Sequence, residues 1–307
     1  MKKKVTVVGA GFVGSTCARR IVEADLANVV LIDIVEGLSQ GKALDLMESA
    51  PVLGFGSKIT GTNNYSDTAN SDVVVITAGL ARKPGMSRDD LLKANADIVG
   101  QIVKRIVEFS PSAILVVVTN PLDVMSYLAY KLSGFDSRKV IGMAGILDSA
   151  RYRYFISQAL SVLPSKVEAL VLGGHGDLMV PLASYSTVEG KPVSELLSEE
   201  KIEEINERTK RGGAEIVSLL KNGSAYYAPS ASAAKMVESI LLDEDEILPC
   251  SAYLNGEYGI DDVYCGVPVR LSSQGLREIV EVKLTEQEKE RLYASSQAIK
   301  ENIKKVL

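Results

Sequence analysis

The first 143 residues alternate two hydrophobic patterns. Short runs rich in β-branched residues, VTVV (5–8), VVLID (29–33), DVVVITAG (72–79), ILVVVTN (114–120) and KVIGM (139–143), are almost continuously apolar. Runs of this kind fit strands covered on both faces, the condition of a parallel sheet. Between them, 12–25, 37–50, 87–109 and 121–133 carry helical spacing. Regular strand–helix alternation predicts a doubly wound α/β sheet. Ligands bind such sheets beyond the carboxyl ends of the strands, so the residues directly after each strand are the candidates for chemistry.

Past residue 143 the alternation loosens. A helix is expected over 146–160, strands in VEALVLGG (167–174) and MVPLASYSTV (179–188), a long polar helical region over 194–221, a helix over 229–242 and further strands within 247–272. Thr285 with Glu288 three residues on forms a capping box for a last helix that runs to the C-terminus. The pattern predicts a nucleotide-binding domain over 1–143 and an α+β domain over 144–307 that supplies substrate groups.

Each strand end then offers a motif. GAGFVG (Gly9, Ala10, Gly11, Phe12, Val13, Gly14) follows the first strand and opens a helix, the context a dinucleotide-binding fingerprint of the Rossmann type requires. The glycines serve a tight turn, the approach of backbone to pyrophosphate, and close packing of helix on sheet. Asp33 ends the second strand, 19 residues past Gly14. A carboxylate there suits the adenosine ribose hydroxyls and repels a 2′-phosphate, which favours NAD over NADP; by itself it would equally be an acid capping the next turn. The loop GLARKPGMSRDDLL (79–92) carries Arg82, Lys83 and Arg88. It is either a solvated charged loop or a lid bringing arginines to an anionic substrate, for which the planar guanidinium is suited. Ser87 and Asp90 mark the start of the following helix. Pro121 fits a first helical turn, and Asn120 before it is either an N-cap or an amide aimed at a ligand.

The only histidine, His175, lies in GGHGD. A lone histidine is more often a packed or surface residue than a catalyst. Here glycines at 173, 174 and 176 allow close approach, and a general acid near neutral pH needs an imidazole's range and a carboxylate to orient it. Asp148 and Asp177 both qualify, and spacing does not choose between them. Asp148 and Arg151 share a helix face, where a simple intrahelical ion pair is the plainer account.

Composition narrows the partners. At 307 residues the chain has room for two modest domains. With 46% hydrophobic and 24% charged residues and a net charge of −5 it reads as a globular protein without a nucleic-acid or anionic-membrane partner. Cys17, Cys250 and Cys265 have no paired spacing, and with one histidine they make no zinc site. Reduced thiols and a cytoplasmic location are expected. MKKKVTVVGAG breaks too early at Gly9 for a signal peptide.

Taken together, GAGFVG, Asp33, ARKPGMSR, VTNP, LDSAR and GGHGD resemble, in order and approximate spacing and over essentially the whole chain, the lactate/malate dehydrogenases. The resemblance implies His175 as proton donor and acceptor, with Asp148 rather than Asp177 orienting it. It implies that Arg151 pairs with the substrate's C1 carboxylate, Arg88 polarises the carbonyl, and Asn120 touches substrate and nicotinamide ribose. Asn95 and Val118, Thr119 and Asn120 would be cofactor contacts. Arg82 stands where the family reads the far end of the substrate, Gln in lactate enzymes and Arg in malate enzymes; Ala225 replaces a common lactate-type Thr. The resemblance thus leans to malate and oxaloacetate as substrates, NAD as cofactor, and a homodimer or homotetramer. Three rivals remain: an L-lactate dehydrogenase; a short-chain epimerase or reductase using Tyr127 and Lys131; and a non-catalytic NAD-binding scaffold, against which the joint presence of His175, Asp148, Arg88 and Arg151 weighs.

Overall fold

The computed structural model describes residues 2–80 and 87–307. Its first half is β1 (Lys4–Val8), α1 (Phe12–Glu23), β2 (Asn28–Ile32), α2 (Leu38–Leu53), β3 (Ile59–Thr62), β4 (Val73–Ile76), α3 (Arg88–Phe109), β5 (Ile114–Val117), α4 (Leu122–Ser133) and β6 (Val140–Gly142). These strands pair in parallel in the order β3-β2-β1-β4-β5-β6, the doubly wound order whose reversal lies between β1 and β4. β4 and β5 are buried at every residue, as their unbroken apolar runs require once helices cover both faces.

The second half is α5 (Ala144–Leu160), β7 (Val167–Glu168), β8 (Val171–Gly173), β9 (Met179–Pro181), β10 (Thr187–Val188), β11 (Lys191–Pro192), α6 (Val193–Leu196), α7 (Glu199–Leu220), α8 (Tyr227–Leu242), β12 (Ile247–Asn255), β13 (Asp261–Ser272), β14 (Gly275–Ile279) and α9 (Glu286–Ile303). β12, β13, β8 and β9 continue the same sheet antiparallel from β6. The junction is Ser251 opposite Gly142. A small separate sheet runs β11-β10-β7. The α/β class and its two-part order are those expected.

Several elements differ from the pattern. β3 has the sequence ITGT, with only its end residues buried; a four-residue edge strand with one apolar residue leaves no hydrophobic run to see. The strands expected over 72–79 and 114–120 stop at Ile76 and Val117, because the following residues turn over the sheet edge. Thr77 there donates its hydroxyl to the Val8 carbonyl at 3.0 Å. The helical region 194–221 is two helices, separated where the Ser198 side chain caps α7. Pro121, not Asn120, is the N-cap of α4, so the capping role considered for Asn120 falls away. The capping boxes Ser87–Asp90 and Thr285–Glu288 are both formed.

Candidate active site

The glycine-rich turn is held in three ways. Gly9 has φ +103°, and a Cβ there would lie 2.8 Å from the Ala78 backbone nitrogen at the end of β4. A Cβ on Gly14 would lie 1.8 Å from the Gly9 carbonyl oxygen, so only glycine lets α1 pack this close. Gly11, the N-cap of α1, has open space beside it. It therefore leaves the helix N-terminus, with its unpartnered N–H groups and positive dipole end, open to a phosphate. Asp33 accepts the Ala10 N–H at 2.6 Å on one carboxylate oxygen and the Val35 N–H at 2.9 Å on the other. It does cap a turn, and an ionised carboxylate keeps further acceptor sites for ribose hydroxyls. Lys42 on α2, which the pattern of motifs did not single out, donates to the Ala10 carbonyl at 2.7 Å. Phe12 stacks on Tyr226 with centroids 5.1 Å apart, and Val13 accepts the Ser230 hydroxyl through its carbonyl; α1 is tied to α8 here. These residues fit a dinucleotide: a cradle that side chains would fill, a helix N-terminus and a carboxylate in sequence around one strand end.

At the next strand ends, Asn95 is buried with its amide engaged on backbone. Its Oδ1 accepts the Leu80 N–H at 2.7 Å, and its Nδ2 donates to the Asn120 carbonyl at 2.7 Å. Thr119 donates its hydroxyl to the Ala78 carbonyl at 2.7 Å, and the Val118 N–H bonds to Ile76. Asn95, Val118 and Thr119 thus fasten the two strand-end loops to each other, with Asn120 at the tip.

His175 sits in the turn between β8 and β9. Its Nδ1 lies 2.8 Å from Asp148 Oδ2; the carboxylate is 2% exposed and the imidazole 15%. The choice left open by spacing is made by geometry, since Asp177 instead accepts from Arg88 at 3.0 Å. Burial pulls the imidazole's pKa down, but the Asp148 charge and hydrogen bond more than offset it, and the net shift is upward. Asp148 Oδ1 lies 3.4 Å from Arg151, so the helix-face ion pair exists, though long for a charged hydrogen bond. Arg151 is partly buried, its side chain 13% exposed; burial lowers its pKa with Asp148 opposing, and its buried Nε has no partner among the described residues. A buried guanidinium N–H left over is costly and suits an incoming carboxylate. Gly212 in α7 leaves room for the Arg151 side chain, since a Cβ there would lie 3.2 Å from Arg151 Cδ; glycine within a helix costs about 1 kcal/mol, a signal carried by RGGAE.

Arg88 is the first residue of α3 and 79% exposed; its pairing with Asp177 puts it two residues from the histidine. Arg82 and Lys83 lie outside the described residues. Three further residues hold the histidine turn and were not anticipated. Asp123 accepts the His175 backbone N–H at 2.8 Å. Ser251 donates to that carboxylate at 2.7 Å. Ser295 of α9 accepts from Gly174 N–H and donates to the Leu178 carbonyl. Tyr127 and Lys131 are engaged elsewhere, on Asp262.

A Rossmann sheet with a dinucleotide cradle, together with a carboxylate–imidazole couple and an arginine whose buried Nε has no partner among the described residues, defines an NAD-dependent oxidoreductase. Family models agree: the NAD-binding domain of lactate/malate dehydrogenase matches residues 3–142, and its alpha/beta C-terminal domain matches 146–307. The chain belongs to the lactate/malate dehydrogenase family. It is 58% identical over 300 residues to the malate dehydrogenase of Synechocystis sp., covering 98% of this chain and 93% of that protein. The structure of malate dehydrogenase from Salinibacter ruber superposes with a TM-score of 0.95 at 51% identity, covering 99% and 97% of the two chains. That of the Cryptosporidium parvum lactate dehydrogenase complexed with lactic acid and NAD gives 0.97 at 41% identity, covering 100% and 98%. Among the described residues no helix is long and apolar enough to cross a membrane.

Proposed function

We propose that the chain catalyses the reversible, NAD-dependent interconversion of (S)-malate and oxaloacetate. The observation that carries this reading is the 2.8 Å couple of His175 with buried Asp148, next to an Arg151 whose Nε has no partner among the described residues. The names of the relatives support the malate side. Gly9, Ala10, Gly11, Phe12, Val13 and Gly14 hold the cofactor's pyrophosphate, Asp33 its adenosine ribose, and the 118–120 segment its nicotinamide end, with Asn95 bracing that segment. The cofactor held there would supply the redox chemistry: in its reduced form the hydride that C2 gains, in its oxidised form the acceptor for the one C2 loses.

The protein's part is positioning and one proton. Asp148 on Nδ1 leaves Nε2 of His175 as the nitrogen that exchanges the proton. Protonated, it gives that proton to the carbonyl oxygen of oxaloacetate as C2 is reduced; neutral, it takes the proton back from malate. Arg151 holds the C1 carboxylate. Arg88 leaves Asp177 to stabilise the developing alkoxide, and Asn120 helps orient the same group. Arg82 pairs with the C4 carboxylate. We assign the cofactor half to 1–143 and the substrate half to 144–307, and place the enzyme in the cytoplasm as a homodimer or homotetramer without nucleic-acid or membrane partners; the three buried thiols support a reducing compartment.

Arg82 decides between malate and lactate chemistry. Facing the methyl of pyruvate, a desolvated guanidinium lacks its partner, at a cost of about 3–5 kcal/mol, and each ~1.4 kcal/mol is about tenfold. The expected preference for oxaloacetate over pyruvate in kcat/KM with NADH is roughly 10²- to 10³-fold, and Arg82→Gln collapses it. Equal use of both substrates by the wild type overturns the malate assignment; an unchanged ratio in the variant moves selection away from Arg82.

A further inference from the structure

His175 is gripped by two buried carboxylates, and the functional reading above uses only one. Asp123 stands in the first turn of α4, three residues after Asn120, and is 5% exposed. An acid in a first turn commonly serves the helix's own N-terminus. This one turns to two other elements: Oδ2 accepts the His175 backbone N–H at 2.8 Å, and Oδ1 accepts the Ser251 hydroxyl of β12 at 2.7 Å. Both oxygens are acceptors, the arrangement an ionised carboxylate takes.

The charges around it are few. Asp148 faces it from α5 and His175 from the β8–β9 turn; the Cys265 thiol faces it from β13. Burial pushes the Asp123 carboxyl above its ordinary range and the Asp148 charge adds to this; the Ser251 and His175 donors oppose it only in part, and the net shift is upward. At the imidazole, Arg151 disfavours the protonated ring and Asp123 favours it. Two carboxylates thus face one arginine and one imidazole, so the protonated ring completes charge balance in a buried site.

We propose that Asp123 is a positioning residue for the proton carrier: it fixes the peptide that bears the imidazole and supplies a second negative charge that stabilises the imidazolium against Arg151. This rests on the reading of His175 as the acid/base. Its consequence is directional. Oxaloacetate reduction needs the protonated ring and malate oxidation the neutral one, so Asp123 extends reduction to higher pH and holds back oxidation at lower pH.

The single histidine makes the test direct, because a tag-free chain has one imidazole to follow by NMR. Asp123→Asn can keep both contacts, accepting from the His175 N–H and donating to Ser251, while removing the charge. It should lower the His175 titration midpoint by about one pH unit, at the low end of what a nearby charge does, and shift the alkaline fall of oxaloacetate kcat/KM by the same amount with NADH affinity unchanged. Ser251→Ala withdraws one donor, makes the carboxylate easier to protonate, and should move the midpoint the same way by less. A folded Asp123→Asn with an unmoved midpoint overturns the proposal; if that variant does not fold, an unmoved midpoint in Ser251→Ala does so. Retained kcat in His175→Asn would instead defeat the acid/base reading, whatever the titration shows.

Discussion

The glycine-rich cradle and the Asp148–His175 couple are built by opposite strategies. The cradle is local: Gly9 to Ser15 supply the turn, and the nearest outside help comes from Asp33 and Lys42, one strand and one helix later. The couple is assembled from afar. Asp148 is 27 residues from His175, Asp123 is 52, and Ser295 is 121 from Gly174. A phosphate site can be made from one turn because backbone N–H groups and a helix dipole do most of the binding. An imidazole that must sit partly buried, keep one tautomer and favour its charge needs side chains, and those arrive from α4, α5, β12 and α9. The first kind of site tolerates little change in its glycines; the second should fail by degrees according to which support is removed.

The sharpest break is at Asp148, the carboxylate on His175 Nδ1. Asp148→Asn leaves a hydrogen-bonding group but removes the charge that keeps the imidazole's pKa raised. We expect kcat for oxaloacetate to fall by about 10²-fold, the lower end of general acid–base contributions. The variant's activity should also vanish at lower pH than the wild type's, since a depressed imidazole pKa leaves less protonated ring as pH rises. Steady-state pH profiles with NADH check both. On the cradle, Gly14→Ala drives a methyl to 1.8 Å from the Gly9 carbonyl oxygen. Overpacking against backbone costs about 3 kcal/mol or more, read in denaturant melts together with loss of NADH binding.

A smaller effect separates binding from architecture at Asp33. Asp33→Ser removes the like charge opposing a 2′-phosphate and one ribose acceptor together, so the NADPH/NADH ratio of kcat/KM should rise by about tenfold, some 1.4 kcal/mol. A wild type that already uses NADPH as well as NADH contradicts the role. The smallest effect distinguishes two adjacent glycines in α7. At Gly213 a Cβ would come no closer than 3.7 Å to Arg151, against 3.2 Å at Gly212. Gly213→Ala should therefore stabilise the chain by roughly 0.5–1 kcal/mol through helix propensity with KM for oxaloacetate unchanged. Gly212→Ala should raise that KM, because Arg151 must move.

The same contrast governs what could be read without coordinates. GAGFVG carries its own meaning, because six consecutive residues hold the whole motif, even though the contact that demands Gly9 lies at Ala78, past β4. The apolar runs of β4 and β5 announced strands covered on both faces, whereas ITGT of β3, a short edge strand, had no run to announce it. His175 was visible as a candidate by being alone among glycines, yet its orienting acid was not: Asp177 is closer along the chain and serves Arg88 instead. Motif resemblance supplied Asp148, and geometry gave the reason. Asp123, Ser251 and Ser295 stayed hidden because an aspartate at a helix start and serines in a strand or helix look ordinary until their distant partners are in place. Asn95 was expected at the cofactor, and its side chain is occupied bracing the loops around it.

The measurement that bears most directly on the account is single-turnover and steady-state kinetics of His175→Asn, with NADH binding followed by fluorescence. Binding and proton transfer use different groups, so NADH affinity should stay within about twofold while kcat for oxaloacetate falls by roughly 10²–10⁴-fold and loses its dependence on pH near neutrality. A variant that binds NADH normally and keeps a near-normal kcat would show that the one histidine of this chain is not its proton carrier.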